Sequence, residues 1–196
     1  EHYEAIRNEL KSSGAIEEMA ASNSPLTQVW NTNGGFDWEG KDPNLAVDFP
    51  NNRVSYDFGK TVQWKIKQGR DFSRDFATDS AAFIINEASA KFLGFDNPVD
   101  KILKWNGESF KIIGVISDIM QESPFYPIRP TLYHIGKLDN MFNVIMKLGP
   151  RQNVKKSLTQ IESVLKKYTP GVPFDYKFVD EEFGNKFRAE ERIGRL

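Results

Sequence analysis

The chain has 196 residues, which suits one large domain or two small ones and is long enough to bury a hydrophobic core. Its formal net charge of −1 provides no broad electrostatic attraction to nucleic acid or anionic lipid. The chain contains no cysteine, which excludes disulfides, thiolate zinc sites and cysteine nucleophiles.

The first third of the chain predicts one helix, short strands and a long loop. Tyr3, Ile6 and Leu10 share one face of a helix, which ends at the turn residues 12–14. Residues 22–44 are rich in Asn, Gly, Pro, Asp and Trp and therefore predict a loop with turns. Strands are predicted around residues 16–22, 45–49 and 62–68.

The middle of the chain predicts a strand and a helix, followed by a hairpin. Residues 81–86 are almost all apolar and predict a buried strand, while residues 87–93 predict a short helix ended by Gly94. The Asn-Gly pair at residues 106–107 is the strongest short-range hairpin signal in the chain. It joins predicted strands at residues 101–105 and 110–117, and a further strand is predicted at residues 131–135.

The last third predicts a βαβ unit and a terminal helix. Apolar residues alternate over residues 142–148, as in a strand with one buried face, and recur at helical spacing over residues 154–165. Aromatic residues alternate again over residues 174–178 and predict a second strand, which is compatible with a right-handed parallel crossover. A final helix is predicted from Asp180, because acidic residues occupy its first turn, where the helix dipole favours them.

Both ends of the chain are predicted to be helical. Position 1 is Glu rather than Met, and no basic-then-apolar leader opens the sequence. The longest apolar run, residues 112–116, is far shorter than the roughly 20 residues that cross a bilayer. We therefore expect an excised fragment or a mature product, and the helical ends suit a domain taken from between two membrane helices.

The histidines offer little catalytic chemistry. His2 lies at the start of the first helix, and His134 stands alone in an apolar strand pattern. A catalytic triad or a metal site needs several partners arranged in space, and no motif for one is present. The phosphate-binding patterns GxGxxG and GxxxxGK[ST] do not occur either. We interpret Arg70, which is next to Asp71, as part of a structural ion pair or loop clamp rather than as an anion receptor.

The carboxylates are better explained by structure than by chemistry. Asp37, Glu39 and Asp42 lie close to Trp30 and Trp38, which would suit a calcium loop or a carbohydrate platform, but the calcium-loop spacing is missing. We favour a solvated turn with a docked Trp. Paired carboxylates for glycoside hydrolysis arise by chance among 27 acidic residues. The sequence therefore predicts no catalytic, cofactor-binding or metal-binding residue, and no enzyme.

Short motifs nevertheless follow one another in a recognisable order. They are a Trp-x-Gly-Lys turn, a Gly-Arg-x-Phe segment, an Asn-Glu helix start with a Gly end, an Asn-Pro turn, a Gly-Val-x-x-Asp strand end and a late Pro. In this order they resemble the extracytoplasmic, or periplasmic core, domain of MacB-like, FtsX-related ABC transporter permeases. The motif residues, which we interpret as structural, are Trp38, Gly40, Lys41, Gly69, Arg70, Phe72, Asn86, Glu87, Gly94, Asn97, Pro98, Gly114, Val115, Asp118 and Pro130.

One position departs from the family pattern. The family usually has Gly after Asn-Pro and a hydrophobic residue, whereas this chain has Asp100 there. Asp tolerates a positive φ less well than Gly, so the local turn geometry is in question.

The resemblance implies an α+β fold with two subdomains. A porter-like subdomain with the βαβ unit would comprise residues 1–40 and 137–196, and its helical ends would lead to membrane helices. A β-rich insertion of the Sabre type would occupy residues 41–136. The periodicity of the last third supports the βαβ half independently, whereas the separate insertion is implied by the resemblance alone.

The resemblance also implies a non-catalytic role at the periplasmic, extracytoplasmic face of the bacterial inner membrane. A separate cytoplasmic ATPase subunit or domain would bind ATP, so this chain would need no cofactor. Its movement would serve efflux or substrate release. The implied partners are the membrane helices of its own permease, the ATPase, and a periplasmic adaptor or an exported peptide or lipoprotein. The full transporter would be dimeric and the isolated fragment a monomer.

Two other interpretations remain open from the sequence. One is a free-standing extracytoplasmic module that binds glycan or peptide through the Trp-rich loop. The other is a hydrolase built on scattered carboxylates. Membrane helices flanking this segment in the complete gene product would separate the permease domain from the free-standing module.

Overall fold

A mixed β-sheet of ten strands organises the residues that the structure describes. The computed structural model describes residues 2–122, 126–150 and 152–193, with side chains described up to residue 188. The strands, in chain order, are β1 (Glu18–Ser22), β2 (Thr32–Asn33), β3 (Phe36–Trp38), β4 (Phe49–Val54), β5 (Ile66–Gly69), β6 (Ala82–Asn86), β7 (Ile102–Trp105), β8 (Glu108–Ile116), β9 (Leu132–Ile135) and β10 (Asn143–Lys147). The α-helices are α1 (Tyr3–Ser12), α2 (Phe58–Val62), α3 (Glu87–Leu93), α4 (Val154–Tyr168) and α5 (Val179–Ile193), and 3₁₀ turns cover Ala77–Ala81 and Leu138–Asn140.

The sheet runs in the order β10-β1-β4-β9-β6-β8-β7-β3, with β2 added to β4 and β5 added to β8. β4 pairs with β9 and β6 pairs with β8 in parallel, whereas the other neighbours are antiparallel. β1 pairs with β10 along its whole length but joins β4 through the single pair Ser22 and Val54. Helices packed on this mixed sheet confirm the predicted α+β class.

Three clusters of buried side chains surround the sheet. Phe83 and Ile85 of β6 belong to the first core, while Ala82 and Ile84 belong to the second, because successive residues of a strand point to opposite faces. α3 packs on the first core, and α2 contributes Phe58 to the second. The third core lies between α1, α4, β1 and β10. The helices therefore stabilise both faces of the sheet by removing apolar surface from water.

The elements with strong local signals are confirmed. α1 and α3 cover the predicted residues. Asn86 begins α3 by accepting a hydrogen bond from the Ser89 N–H at 3.0 Å, and Gly94 ends it with φ +74°. Asn106 and Gly107 join β7 and β8 with φ of +51° and +81°, as a type I′ turn requires.

The predictions between residues 22 and 68 are only partly right. The predicted loop contains β2 and β3, which are two and three residues long and therefore too short to show a period. The strand predicted at residues 45–49 is wrong in position, because β4 begins at Phe49. The strand predicted at residues 62–68 begins only at Ile66, since the missed helix α2 extends to Val62.

The predicted strand at residues 174–178 is not formed in the structure. Phe174 packs against the third core. The ring centroids of Phe174 and Tyr176 are 5.3 Å apart, and those of Tyr176 and Phe178 are 5.6 Å apart. The aromatic alternation is therefore used for ring contacts within the segment. The predicted continuation of the last helix over residues 194–196 lies outside the described residues.

The division into a porter-like part and an inserted part stays a prediction. β3 lies within residues 1–40, yet it pairs with β7, which lies within residues 41–136. β1, which lies within residues 1–40, and β4, which lies within residues 41–136, share the single pair Ser22 and Val54. Hydrogen bonds of the sheet thus cross the predicted boundary at residues 40 and 41.

Asp100 adopts the backbone conformation that the family pattern assigns to glycine. Its φ is +71°, in the left-handed region that a side chain disfavours. The Asp100 N–H donates to the Ile112 carbonyl at 2.8 Å, which holds the turn against β8. The departure from the family pattern therefore leaves the turn in place at a conformational cost.

We predict that Asp100→Gly unfolds at higher urea concentration than Asp100→Ala, by about 1 kcal/mol of unfolding free energy. Both variants lose the exposed ion pair between Asp100 and Lys111, 3.3 Å long, so their difference reports the backbone conformation. Equal unfolding free energies for the two variants would contradict a strained turn.

Candidate functional site

His134 is a buried core residue rather than a ligand. It lies on β9 and is 6% exposed, and its Nδ1 is 2.9 Å from Asn51 Oδ1. Burial, with a smaller effect of the positive charge of Arg53, lowers the pKa of His134 to about 4. His2 lies before α1, with its ring centroid 5.5 Å from that of Tyr168. Within residues 2–122, 126–150 and 152–188, no group of three or more His, Cys, Asp and Glu side chains could hold a metal ion.

The Trp-x-Gly-Lys motif forms a docked turn. Trp38 is 7% exposed and belongs to the first core, and Gly40 has φ +84°. Lys41 Nζ donates to the Phe36 carbonyl at 2.7 Å and lies 5.4 Å from the centroid of the Trp38 ring. Trp30, in contrast, is 54% exposed. A glycan platform built from both Trp rings is therefore not formed.

The Gly-Arg-x-Phe and Gly-Val-x-x-Asp motifs meet each other across β5 and β8. Gly69 pairs with Gly114, and a Cβ on either would collide with backbone of the opposite strand, at the carbonyls of Ile113 and Arg70 respectively. Phe72 lies in the second core and Val115 in the first core. These residues therefore serve close packing of two strands.

Arg70 forms the predicted loop clamp, with Asp79 as its partner. Its Nη1 and Nη2 lie 2.7 and 2.6 Å from the two carboxylate oxygens of Asp79, which is fully buried. Burial acts to raise the pKa of Asp79, but Arg70 and the Ser73 N–H outweigh it and hold that pKa below its ordinary value. The neighbouring Asp71 instead accepts from Trp64 Nε1 at 3.0 Å. A groove of about 630 Å³ lies beside Arg70, whose guanidinium is already committed to Asp79.

The remaining motif residues hold the start of α3 and the turns around it. Asn86 Oδ1 accepts from the Thr131 N–H at 2.9 Å, and Asn86 Nδ2 donates to the Arg129 carbonyl at 3.0 Å, on either side of Pro130. Asp118 accepts from the Ala88 N–H at 2.9 Å, next to Glu87, and the buried Pro98 follows the exposed Asn97. These side chains make hydrogen bonds within the domain, and their assignment as structural residues stays a prediction.

An ionic cluster, for which the sequence contains no local signal, fixes α1 to other segments. Arg7 Nη2 lies 2.7 Å from Glu18 Oε1 and 3.2 Å from Asp57 Oδ1. Lys11 Nζ lies 2.6 Å from Glu18 Oε2, and Arg74 Nη2 lies 2.7 Å from Asp57 Oδ2. We call this cluster the α1 clamp; its members are Glu4, Arg7, Lys11, Glu18, Asp57 and Arg74.

Asp57 is the buried centre of the α1 clamp. Its side chain is 3% exposed, against 13% for Arg7 and 46% for Arg74. Burial acts to raise the pKa of Asp57, but the guanidinium groups of Arg74 and Arg7 outweigh it, so that pKa lies below its ordinary value. A buried charge must be paired. The carboxylate therefore holds α1 and the loop after β5 against the start of α2.

Apolar and polar contacts on other sides of α1 add to the clamp. Ile6 and Leu10 are buried in the third core. The Tyr3 hydroxyl donates to a backbone carbonyl of β1 at 3.2 Å. Toward α4, Glu9 Oε2 accepts from the Tyr168 hydroxyl at 2.8 Å. α1 is thus attached to the sheet and to α4 at several points along its length.

The described side chains of α5, residues 179–188, make fewer contacts with the rest of the fold than those of α1. Glu182 Oε2 accepts from Thr27 Oγ1 at 2.9 Å, and Lys186 Nζ donates to the Thr27 carbonyl. No side chain among residues 179–188 is buried. The described helices include none that combines the length and apolar character needed to span a membrane.

Comparison with known proteins gives one family for this arrangement. The model of the MacB-like periplasmic core domain matches residues 1–164. No curated protein matches the chain.

Solved structures with a similar fold come from transporters and a putative permease. The periplasmic region of MacB from Actinobacillus actinomycetemcomitans is 18% identical with a TM-score of 0.58, over 84% of this chain and 72% of that one. The extracellular domain of the noncanonic ABC-type transporter YknZ from Gram-positive bacteria is 18% identical with a TM-score of 0.59, over 85% and 83%. A domain of a putative permease from Porphyromonas gingivalis is 16% identical with a TM-score of 0.55, over 85% and 82%.

We predict that the unfolding free energy falls as the pH is lowered from about 6.5 to about 4, by about 3 kcal/mol in total, because of His134. A lowered histidine pKa means that the unfolded chain binds the proton first, so the contribution is complete above pH 6.5 and is lost below it. His134→Asn keeps a donor near Asn51 and removes the titration. Urea unfolding at each pH should therefore give a flatter profile for that variant between pH 6.5 and 5, and parallel profiles would contradict the assignment.

We predict that Asp57→Ala lowers the unfolding free energy by about 2–4 kcal/mol, because Arg7 loses its buried partner. The matched control is Glu39→Ala, which removes an exposed ion pair to Lys101 and should cost less than about 1 kcal/mol. Urea unfolding of both variants measures the difference. A loss at Asp57 no larger than that at Glu39 would show that the clamp does not hold α1.

Proposed function

This chain belongs to the family of MacB-like periplasmic core domains, and on that premise we propose that it couples ATP hydrolysis in the cytoplasm to movement outside the membrane. It is the extracytoplasmic domain of a MacB-like ABC transporter permease, at the periplasmic side of the inner membrane. The proposal concerns what this domain contributes: a body without catalytic chemistry that moves as a unit and acts on cargo or a partner protein.

The α1 clamp is the observation that supports the proposal. Arg7 and Lys11 lie on α1, and their partners Glu18 and Asp57 lie on β1 and before α2. A tilt or rotation of α1 alone would expose Asp57 without its arginine, which is costly for a buried charge. When α1 moves, the sheet therefore moves with it, because the contacts of α1 with β1 and with the start of α2 are kept.

Other components of the transporter would bind ATP, transmit the motion and receive it. A separate cytoplasmic ATPase would bind and hydrolyse ATP, and this domain would bind no cofactor. The membrane helices of its own permease would carry the motion to α1. A periplasmic adaptor, or an exported peptide or lipoprotein, would receive it, with efflux or substrate release as the result. Two permease copies would form the transporter, whereas the isolated domain would be a monomer.

The proposal is tested by distances in the reconstituted transporter, without nucleotide and with trapped ATP. Spin labels at Asn8→Cys on α1 and Lys104→Cys on β7, both exposed positions, should give the same distance in both states. This chain contains no cysteine, so native cysteines need to be replaced only in the other parts of the transporter. Label at Lys104→Cys alone should report a distance between the two copies that changes with ATP.

Asp57→Asn is the matched variant for this measurement, because it keeps the side-chain shape and removes the charge. It should broaden the distance distribution between positions 8 and 104. The distance between the labels at position 104 of the two copies should then no longer change with ATP. A wild-type distance from α1 to β7 that shifts with ATP, while the distance between copies stays constant, would refute rigid coupling through α1.

A further inference from the structure

The groove beside Arg70 has the size of a ligand site. Its volume is about 630 Å³, and the pockets that hold small ligands have volumes of about 300–1,000 Å³. One wall consists of Ser109, Lys111 and Ile113 of β8. The other walls come from the 3₁₀ turn Ala77–Ala81 and from the turn that contains Asp100. Three separate segments of the chain therefore enclose this space.

Much of the groove is lined by apolar side chains. Ala82 and Ile113 are buried and belong to the second core, and Val99 packs against the first core. Ile102 is 41% exposed and pairs in register with Lys111 across β7 and β8. Apolar surface thus lies directly beside a charged side chain. This lining favours a ligand with an apolar part, because binding removes the apolar surface of both from water.

The two basic residues of the groove have acidic partners of different accessibility. Both oxygens of the fully buried Asp79 accept from Arg70, and the Phe76 ring lies 3.9 Å from the guanidinium carbon. The side chains of Asp100 and Lys111 are 77% and 54% exposed, with one contact of 3.3 Å between them. The Arg70 pair is therefore closed to a ligand, whereas the charges of Asp100 and Lys111 are accessible.

The carboxylate of this exposed pair is held in place more firmly than the ammonium. The Asp100 N–H donates to the Ile112 carbonyl at 2.8 Å, and the Lys101 N–H donates to the Pro98 carbonyl at 3.1 Å. The side chain of Asp100 is short, whereas Lys111 carries its charge on a flexible four-carbon stem. The contact between them is also longer than the roughly 2.7–2.9 Å of a strong charge-assisted hydrogen bond. A ligand therefore meets the carboxylate in a defined position.

Asp100 holds its carboxylate at the groove in a backbone conformation that disfavours a side chain. Its φ is +71°. The exposed ion pair with Lys111 contributes too little to stability to offset this strain. Residues in strained conformations cluster at sites that bind ligands. The position of Asp100 is therefore explained if its carboxylate binds a cationic group.

We propose that this groove binds a peptide segment in which an arginine lies beside an aliphatic residue. The guanidinium of the peptide pairs with both carboxylate oxygens of Asp100, a geometry that the Lys111 ammonium cannot provide. Lys111 then turns toward solvent, and the aliphatic side chain of the peptide packs on Ile102. The hydroxyls of Thr78 and Ser109, which also line the groove, hydrogen-bond the peptide backbone. The binding rests on the groove, and the role of such a peptide as cargo or partner rests on the proposed function.

Titration of this chain with short blocked peptides, followed by NMR, tests the binding. The probe is acetyl-Leu-Arg-Leu-amide, and the matched controls carry Lys or Glu in place of Arg. We expect the Arg peptide to bind at least three-fold more tightly than the Lys peptide and at least ten-fold more tightly than the Glu peptide. The amide signals of Ile102, Ser109 and Ile113 should shift on binding, because these residues line the groove.

Two substitutions at the ion pair should change the affinity in opposite directions. Asp100→Asn keeps the side-chain shape and removes the charge, so it should weaken binding of the Arg peptide at least five-fold. Lys111→Met removes the competing ammonium and should strengthen that binding at least two-fold. The matched control is Lys166→Met on α4, which removes an exposed pair with Glu162 and should leave the affinity unchanged. Asp100→Gly, which relieves the strained φ, should weaken binding as much as Asp100→Asn.

Four outcomes would overturn the proposal. Tighter binding of the Glu peptide, with a loss in Lys111→Met, would show that the groove binds an anion. Equal affinities for the three peptides would show apolar contact alone. Binding of butylguanidinium as tight as that of the Arg peptide would show that a small cation is the ligand. Absence of shifts at the groove would show that it is not a peptide site. None of these measurements involves ATP or transport, so failure here is distinct from failure of the coupling proposal.

Discussion

The burial of Asp57 constrains how the N-terminal half of the structure is assembled. Its carboxylate is stable in the interior because Arg7 and Arg74 approach it from different segments. Arg74 follows β5, which reaches this position by lying against β8 at the contact between Gly69 and Gly114. The two glycines therefore matter for the position of α1, although neither touches it. A side chain at either glycine would push β5 outward and carry Arg74 away from Asp57.

The sequence predicts those elements whose determinants are close together in the chain. Asn86 and Gly94 define both ends of α3, and the Asn-Gly turn at residues 106–107 fixes the hairpin, because caps and turns depend on neighbouring residues. The α1 clamp could not be predicted in this way. Arg7, Asp57 and Arg74 have no spacing that relates them, and each looks like an ordinary surface charge in the sequence. Similarly, Arg70 pairs with Asp79 rather than with the adjacent Asp71.

Several motif residues support the backbone of the fold. Gly69 and Gly114 permit a close strand contact, Asn86 caps a helix, and Lys41 closes a turn. Each of these roles depends on backbone geometry rather than on reactivity, so the order of the motifs records the fold. Asp100 illustrates the same point, because the turn keeps its positive φ even where the usual glycine is replaced.

The described side chains of α1 and α5 make different kinds of contact with the rest of the fold. α1 is held by buried ion pairs and by the apolar contacts of Ile6 and Leu10, whereas the described contacts of α5 involve Thr27 on a loop. A body with two equally rigid attachments could move only if both attachments moved together. Under the proposed function, a firm attachment at α1 and a looser one at α5 would let the domain follow α1 and turn about α5.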